Sequence, residues 1–374
     1  MQPFDAHLVQ RVVFGDGAVS QLGSLVKETG ARRVLLISDM GIVQAGILHR
    51  AQDSLDKAKI EHADFKETEP NPESRQVERA AQFARDAGPF DLIAAVGGGS
   101  VMDCAKGVNF LLANGGTMRD YWGFGKANKP MLPSIGVPTT AGTGSEAQSY
   151  AIISDDETKR KMACGDPKAR FHAVILDPSL VASAPRGVSA AAGIDAVSHA
   201  LESYVSLRRN PLSQMYSREA WRLMEGSLET ALAEPSNIQA RAGTLLGAYC
   251  AGMGIELSML GAAHAMANPL TARYRIAHGE AVALTLPHVM RYNRQTAGDL
   301  YDELAQAAGI DCSVEERFLK LRAAAQLPKR LRDRGIPSAD LPDLAARAAE
   351  EWTANFNPHP VDSTSLRCLY EQAY

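Results

Sequence analysis

The chain has 374 residues, 45% of them hydrophobic, and a formal net charge of −4 with both signs mixed along it, which suits a globular protein of two domains. No basic stripe or aromatic–basic interleaving occurs, which argues against a nucleic-acid partner, and no run of 18 apolar residues offers a membrane span. Five scattered cysteines (104, 164, 250, 312 and 368) are odd in number and lack CxxC spacing, and the N-terminus lacks the apolar core of a signal peptide. The expectation is a cytoplasmic protein with reduced thiols.

Residues 8–14 (LVQRVVF) predict a strand closed by the turn Gly15-Asp16-Gly17. A helix follows over about 18–29. Then RVLLIS, 33–38, is a short apolar run of the kind buried in a parallel sheet. A helix over 42–58, a strand near 60–65, a helix near 73–87 and the buried strand DLIAAV at 91–96 continue the alternation. Alternation of this kind predicts βαβ units with right-handed crossovers. The strand 91–96 runs into Gly97-Gly98-Gly99-Ser100, with a helix from Val101. Glycines there let backbone approach a pyrophosphate, and a helix N-terminus offers amides and a positive dipole end. A plain tight turn is the alternative, and the flanking strand and helix favour phosphate. Asp39 closes the strand 33–38, as a ribose-binding acid or as a helix N-cap, and the sequence does not separate the two.

MLPSIGV, 131–137, is another apolar strand, and it leads into the Gly- and Thr-rich loop 138–146, which suits a ligand. YAIISD (150–155) and HAVILD (172–177) read as a hairpin-like pair around 157–161. From about Ser183 the strand signals stop. Helical patterns cover 189–206, 211–232, 236–269, 279–297, 298–308, 314–326 and 338–354, with prolines 211, 269, 287, 328, 337 and 358 between or within them. The glycines of 241–269 each cost a helix about 1 kcal/mol relative to Ala, so close helix packing is expected to offset them. Met253, Met259 and Met266 read as core filler. The expected domains are therefore an α/β domain over 1–182 and an all-helical domain over 183–374.

Within the helical half, Asp195 and His199 in GIDAVSHALESY stand four apart, on one face of a helix. His264 lies near the end of the second helical pattern and His278 opens a third. Three imidazoles and a carboxylate suit a divalent transition metal, zinc or iron(II). The alternative is that each is an ordinary satisfied core or surface residue.

Taken together, these pieces resemble the iron-containing (group III) alcohol dehydrogenase family from Phe14 to near Pro360. The matching stretches are FGDG at 14–17, PNP at 70–72, GGGSVMDCAK at 97–106, PTTAGTGSE at 138–146, ILDPSL at 175–180, GIDAVSHALESY at 193–204 and HGEAVALTLPHVMRYN at 278–293. The resemblance implies a dinucleotide domain, a helical domain and a cleft between them, an architecture shared with dehydroquinate synthase. It also implies metal ligands at Asp195, His199, His264 and His278. Carried over, NAD contacts fall on Asp39, whose position favours NAD over NADP, on Asn71, and on Gly98, Gly99 and Ser100 with Asp103 beside them. They fall further on Thr139, Thr140 and Thr143, on Lys161 near the nicotinamide ribose (Lys159 is two residues away), and on Leu180 in the adenosine pocket. Tyr150, Ile255 and Leu257 border the implied substrate pocket.

The chain departs from the family at Asn268, where many members carry a histidine thought to move the alcohol proton; Asn cannot titrate. Glu256, Leu257 and Met259 are also unusual, and Asn357-Pro358-His359-Pro360 has histidine where the family has arginine. The implied reaction is reversible hydride transfer between a primary alcohol and NAD, with Asn268 as a further catalytic candidate. The metal is expected to be iron(II) in the cell, with zinc as the alternative. The rivals are a polyol, hydroxy-acid or maleylacetate-type reductase, a dehydroquinate-synthase-like lyase, and an NAD sensor without turnover. A homo-oligomer, most simply a homodimer pairing through the strand 8–14, is expected.

Overall fold

The computed structural model describes residues 4–6 and 8–374, which divide into a sheet unit (8–140 with Ser145–Ala184) and a helical unit (4–6 and Ala141–Gly144 with Pro185–Tyr374). In chain order the sheet unit contains β1 (Arg11–Phe14), α1 (Leu22–Glu28), β2 (Arg33–Ile37), α2 (Met40–Gln44), α3 (Ile47–Lys57), β3 (Glu61–Phe65), α4 (Ser74–Ala87), β4 (Leu92–Gly97), α5 (Gly99–Asn114), β5 (Gly123–Phe124), β6 (Ser134–Pro138), β7 (Tyr150–Ser154), β8 (Lys161–Gly165), β9 (Ala173–Leu176) and α6 (Pro178–Val181).

Six strands form one parallel sheet in the order β1-β9-β6-β4-β2-β3. The apolar runs read from sequence become its centre because helices cover both faces. All six residues of β4 are buried, and Val34, Leu36, Ala94, Val96, Ile135, Val137 and Ile175 pack beneath Leu22, Val26, Leu48 and Leu55 of α1 and α3. Each such aliphatic side chain contributes about 1.5–3 kcal/mol by leaving water. β1 lies at one edge of the sheet, with Val12 and Phe14 exposed.

The expected pairing of 150–155 with 172–177 is corrected. β7 pairs antiparallel with β8, from Tyr150 opposite Gly165 to Ser154 opposite Lys161, and β9 joins the main sheet between β1 and β6. Asp155 closes the turn: it accepts the Thr158 amide at 2.7 Å, and its own amide bonds Arg160 O at 2.8 Å. β9, with all four residues buried, fits a central strand better than a hairpin arm.

The helical unit holds α7 (Arg186–Val205), α8 (Pro211–Ala233), α9 (Ile238–Leu257), α10 (Ala262–Tyr274), α11 (His278–Ala308), α12 (Val314–Ala324), α13 (Leu341–Glu350) and α14 (Ser363–Ala373). α7 packs against α8, α9 and α11. The glycine stripe of α9 permits its close approach to α8: a Cβ at Gly254 would meet Ser217 Oγ at 2.4 Å.

Two expectations are corrected here. The single helical run 236–269 is two helices, α9 and α10, bent by 107° at a break. Ser258 adopts non-helical torsions at the break, and its hydroxyl donates to Gly254 O at 2.7 Å and is 3.2 Å from Ser203 O. His264 therefore sits in the first turn of α10, not near the end of a long helix. The C-terminal α14 was not anticipated. Its Asp362–Ser365 capping box starts it just past the prolines 358 and 360. No single helix among the described residues is long and apolar enough to cross a membrane.

Candidate active site

Asp195 and His199 leave α7 one turn apart, with Asp195 Oδ1 3.4 Å from His199 Nε2. The same oxygen lies 3.6 Å from His264 Nε2 of α10 and 4.0 Å from His278 Nε2 at the start of α11. The His199 and His264 rings stack with centroids 4.9 Å apart, and His278 lies 5.3 Å from His264 at a tilt. Asp195, His199 and His264 are buried, and their ligand atoms lie within 4.8 Å of one another. His278 is more open at 24% side-chain exposure. The four residues singled out in the sequence thus converge around one carboxylate oxygen.

These donors fit a divalent cation. Asp195 Oδ1 and His264 Nε2 are buried without a hydrogen-bond partner, 3.6 Å apart, beyond hydrogen-bond reach. A buried carboxylate oxygen facing imidazole nitrogens at that spacing is costly unless a cation bridges them. Burial pushes the Asp195 carboxyl up, but His199, His264 and His278 together outweigh it and hold it below the usual carboxylate range. Burial depresses His199 to about 4, the neutral form a metal needs. Burial also opposes the charge on His264, yet Glu202 and Asp195 carry it up to about 9.

Glu202 was not anticipated. It is 2% exposed on α7, and its two oxygens meet His264 Nδ1 and the Ala263 amide, the latter at 2.8 Å. In sequence it is one acid within HALESY. Its position three residues after His199 is the only sign that it shares the face of the pair. Asn268, one turn beyond His264, donates from Nδ2 to Glu351 Oε2 at 2.8 Å, so part of its amide is committed within the protein. Ile255 is buried and Leu257 half-buried in the last turn of α9, and Thr143 lies exposed in the segment Ala141–Gly144. Gly144 takes φ +62°, and a Cβ there would lie 2.6 Å from Gly252 Cα of α9, so that bend of the loop requires glycine.

In the sheet unit Asn71, Gly98, Gly99, Ser100 and Thr140, all expected at the cofactor, gather around the start of α5. Gly98 is its N-cap, without a side chain to cap it, and Gly99 and Ser100 form its first turn. Asn71, at φ +53°, donates its amide to Ser100 Oγ at 3.1 Å, which joins the PNP turn to the glycine loop. Thr140 lies against Gly98, and Thr139 is buried with its hydroxyl unpartnered. Asp103 accepts from Ser145 Oγ at 2.6 Å. Buried Lys106 donates to Ser145 O and Tyr150 O, both at 2.7 Å, which fixes α5 to the loop before β7. Tyr150, half-buried on β7, faces the Phe124 ring at 5.8 Å. Asp39 is the N-cap of α2 and accepts the Ile42 amide at 2.9 Å. Lys159 pairs with Glu73 at 2.7 Å, whereas Lys161 opens β8 and its charge acts on Asp103. Leu180 is fully buried in the core of the sheet.

Comparison with known proteins decides the family. The sequence profile of the iron-containing alcohol dehydrogenases matches residues 9–178, and the C-terminal profile of the same family matches residues 189–374. The chain belongs to the iron-containing alcohol dehydrogenase family. This family member is 32% identical to a lactaldehyde reductase of Escherichia coli (strain K12), over 96% of this chain and 97% of that protein. It is 33% identical to a 1,3-propanediol dehydrogenase of Klebsiella pneumoniae, over 96% of each chain. A solved structure of a sulfoacetaldehyde reductase from Bifidobacterium kashiwanohense in complex with NAD+ superposes with a TM-score of 0.91 at 26% identity, covering 100% of this chain and 99% of that one. The protein is an oxidoreductase of the alcohol dehydrogenase type, acting between alcohols and aldehydes.

In this dehydrogenase the loop before β7 also carries a pH-sensitive group. Burial pushes the Glu146 carboxyl up to about 7, with Lys106 opposing, and its Oε1 has no hydrogen-bond partner. The folded state then holds this proton more tightly than the unfolded chain. Its contribution to stability is complete below the ordinary value of 4.5, declines as pH rises, and levels off above about 7. The loss amounts to about 3 kcal/mol. Glu146→Gln should remove it, so the stability difference between wild type and variant, read by urea unfolding from pH 5 to 8, should shift toward the variant as pH rises. A difference independent of pH would refute the assignment.

Proposed function

We propose that the protein transfers a hydride reversibly between a primary alcohol and NAD, with one divalent metal held by Asp195, His199, His264 and His278. The observation that carries this reading is the convergence of three imidazole nitrogens on Asp195 Oδ1, at 3.4, 3.6 and 4.0 Å, with that oxygen and His264 Nε2 both unsatisfied. When bound, such a metal acts as a Lewis acid toward the substrate oxygen. Mixed imidazole and carboxylate donors suit iron(II), and zinc binds such sites more tightly, so iron in the cell and zinc after aerobic purification are expected. Asn268 would orient the substrate oxygen through its amide while Glu351 holds that amide in place, and the amide itself cannot titrate. Ile255, Leu257 and Tyr150 favour a small or medium apolar chain on the alcohol. The relatives named for lactaldehyde and 1,3-propanediol keep short diols within the substrate range to be tested.

The glycine loop with Ser100, together with Asn71, Asp103, Thr139, Thr140, Thr143, Lys161 and Leu180, is assigned to NAD, by analogy with the NAD+-bound neighbour. The exposed edge of β1 is assigned to pairing with a second copy, read by light scattering, and the scattered free cysteines to a cytoplasmic protein. The test of the reaction is NADH absorbance, with protein purified without oxygen and presented with alcohols and aldehydes of increasing length; no turnover with any would refute it.

Asp39 sets the cofactor preference. A carboxylate at that strand end accepts from a ribose and repels a 2′-phosphate. Asp39→Gly should raise kcat/KM with NADP by roughly tenfold, a repulsion of about 1.4 kcal/mol. The fold should tolerate it, because glycine at an N-cap costs only a few tenths of a kcal/mol. Wild type preferring NADP would refute the role.

A further inference from the structure

Glu202 lies three residues after His199 on α7, buried, with both oxygens engaged on the first turn of α10. Oε1 accepts the Ala263 amide at 2.8 Å. Oε2 meets His264 Nδ1 in a short, charge-assisted contact. The Ala262 amide goes to Asn357 Oδ1 at 3.2 Å. These two acceptors satisfy the first amides of α10, whose N-cap, Gly261, has no side chain to do so. A Cβ at Gly261 would lie 2.9 Å from Asn357 Oδ1 and 3.0 Å from Glu202 Oε1, so the helix start is fitted between them.

Asn357 is held in turn. Its Nδ2 donates to Asn293 Oδ1 of α11 at 2.7 Å and lies 2.7 Å from His359 O. Asn293 Nδ2 donates back to Asn357 Oδ1 at 3.1 Å. The 357–360 motif thus ties the end of α10 that carries His264 to α11, which begins at His278.

An imidazole has two nitrogens, and a partner on one decides what the other can do. With Nδ1 given to a carboxylate, His264 presents Nε2 as a lone-pair donor, and this is the unpartnered atom 3.6 Å from Asp195 Oδ1. We infer that Glu202 is a positioning residue: it fixes the tautomer and ring plane of His264 so that Nε2 faces Asp195 and His199, while Asn357 fixes the helix end from which that ring projects. The inference rests on the metal reading of the site, and a carboxylate behind a ligating histidine typically governs metal affinity by about 10–100-fold.

The test uses the full-length protein loaded with cobalt(II), followed by its visible spectrum and by competition with a chelator. Glu202→Gln keeps the volume but sets an amide N–H₂ against either the Ala263 N–H or the His264 Nδ1–H. The variant should lose metal affinity about 10–100-fold and shift the cobalt bands, and Glu202→Asp should recover part of the affinity. Wild-type affinity and spectrum in Glu202→Gln would overturn the role. A second measurement needs no variant: long-range proton–nitrogen NMR of histidine-labelled, zinc-loaded wild type should find His264 protonated at Nδ1. Protonation at Nε2 would overturn the inference. If wild type binds no stoichiometric cobalt, or Asp195→Asn binds it equally well, the metal reading itself fails, a result distinct from either outcome at Glu202.

Discussion

Gly279→Ala should cost the protein both stability and its metal. Gly279 follows His278 in the first turn of α11, and a Cβ there would lie 1.9 Å from Ala191 O, 2.7 Å from Ala191 C and 3.1 Å from Asp195 Cβ. The obstacle is backbone of α7, which cannot rotate away like a side chain. The start of α11 must therefore shift, and His278 with it. Overpacking a built core costs typically 1–3 kcal/mol, and a backbone clash lies at the upper end, so about 3 kcal/mol of stability should be lost. Because the displaced helix carries His278 beside Asp195, metal content should fall with it. The control is Gly226→Ala in the middle of α8, where an added Cβ meets nothing within 4 Å. There the variant should gain about 1 kcal/mol from helix propensity alone. Thermal unfolding and metal analysis of both variants check this. Equal stability and metal content in Gly279→Ala and wild type would show that α7 and α11 approach less closely.

How much of this was legible depended on whether the signal was local. The runs 33–38 and 91–96 announced themselves because a strand buried on both faces has no polar alternation. The hairpin partner of 150–155 was misjudged because 161–165 carries Lys161 and Gly165 and looks weak, whereas 173–176 is uniformly apolar. Apolarity marks a strand as buried but does not name its neighbour. The break between α9 and α10 hid for a similar reason. Serine and glycine at 258 and 261 follow a helix that already contains many glycines, so they read as more of the same. What starts α10 afresh beyond the break is a pair of acceptors, Glu202 and Asn357, distant in sequence.

At the site, Asp195 and His199 were readable from their four-residue spacing, since a helix fixes which side chains share a face. His264 and His278 were readable as residue types, and their convergence with the first pair followed from the family resemblance rather than from any local pattern. Glu202 and Glu351 were missed because a carboxylate that acts through another side chain looks like any surface acid until the fold buries it or supplies its partner. Asp39 left two readings open. The N-cap is now established by its bond to Ile42, and the ribose role can coexist with it, because the carboxylate has a second oxygen.

Asp195→Asn is the sharpest test of the centre. The substitution preserves shape and removes the negative charge on which three imidazoles converge. Breaking a buried charge pair by removing one partner costs about 3–5 kcal/mol, which corresponds to a loss of metal affinity of roughly a hundredfold to several thousandfold. Turnover at limiting metal should fall in proportion. A merely structural aspartate would also lower activity, so the decisive readout is how metal changes stability. A ligand bound only by the folded state stabilises it by RT ln(1 + [L]/Kd), about 4 kcal/mol at a thousandfold excess over Kd. Stripping metal from wild type should lower its Tm, and restoring iron(II) or zinc should raise it again. At the same metal concentration Asp195→Asn should show little or no rise, because the excess over its weakened Kd has vanished. Equal rises in wild type and variant would place the metal elsewhere and remove Asp195 from the centre.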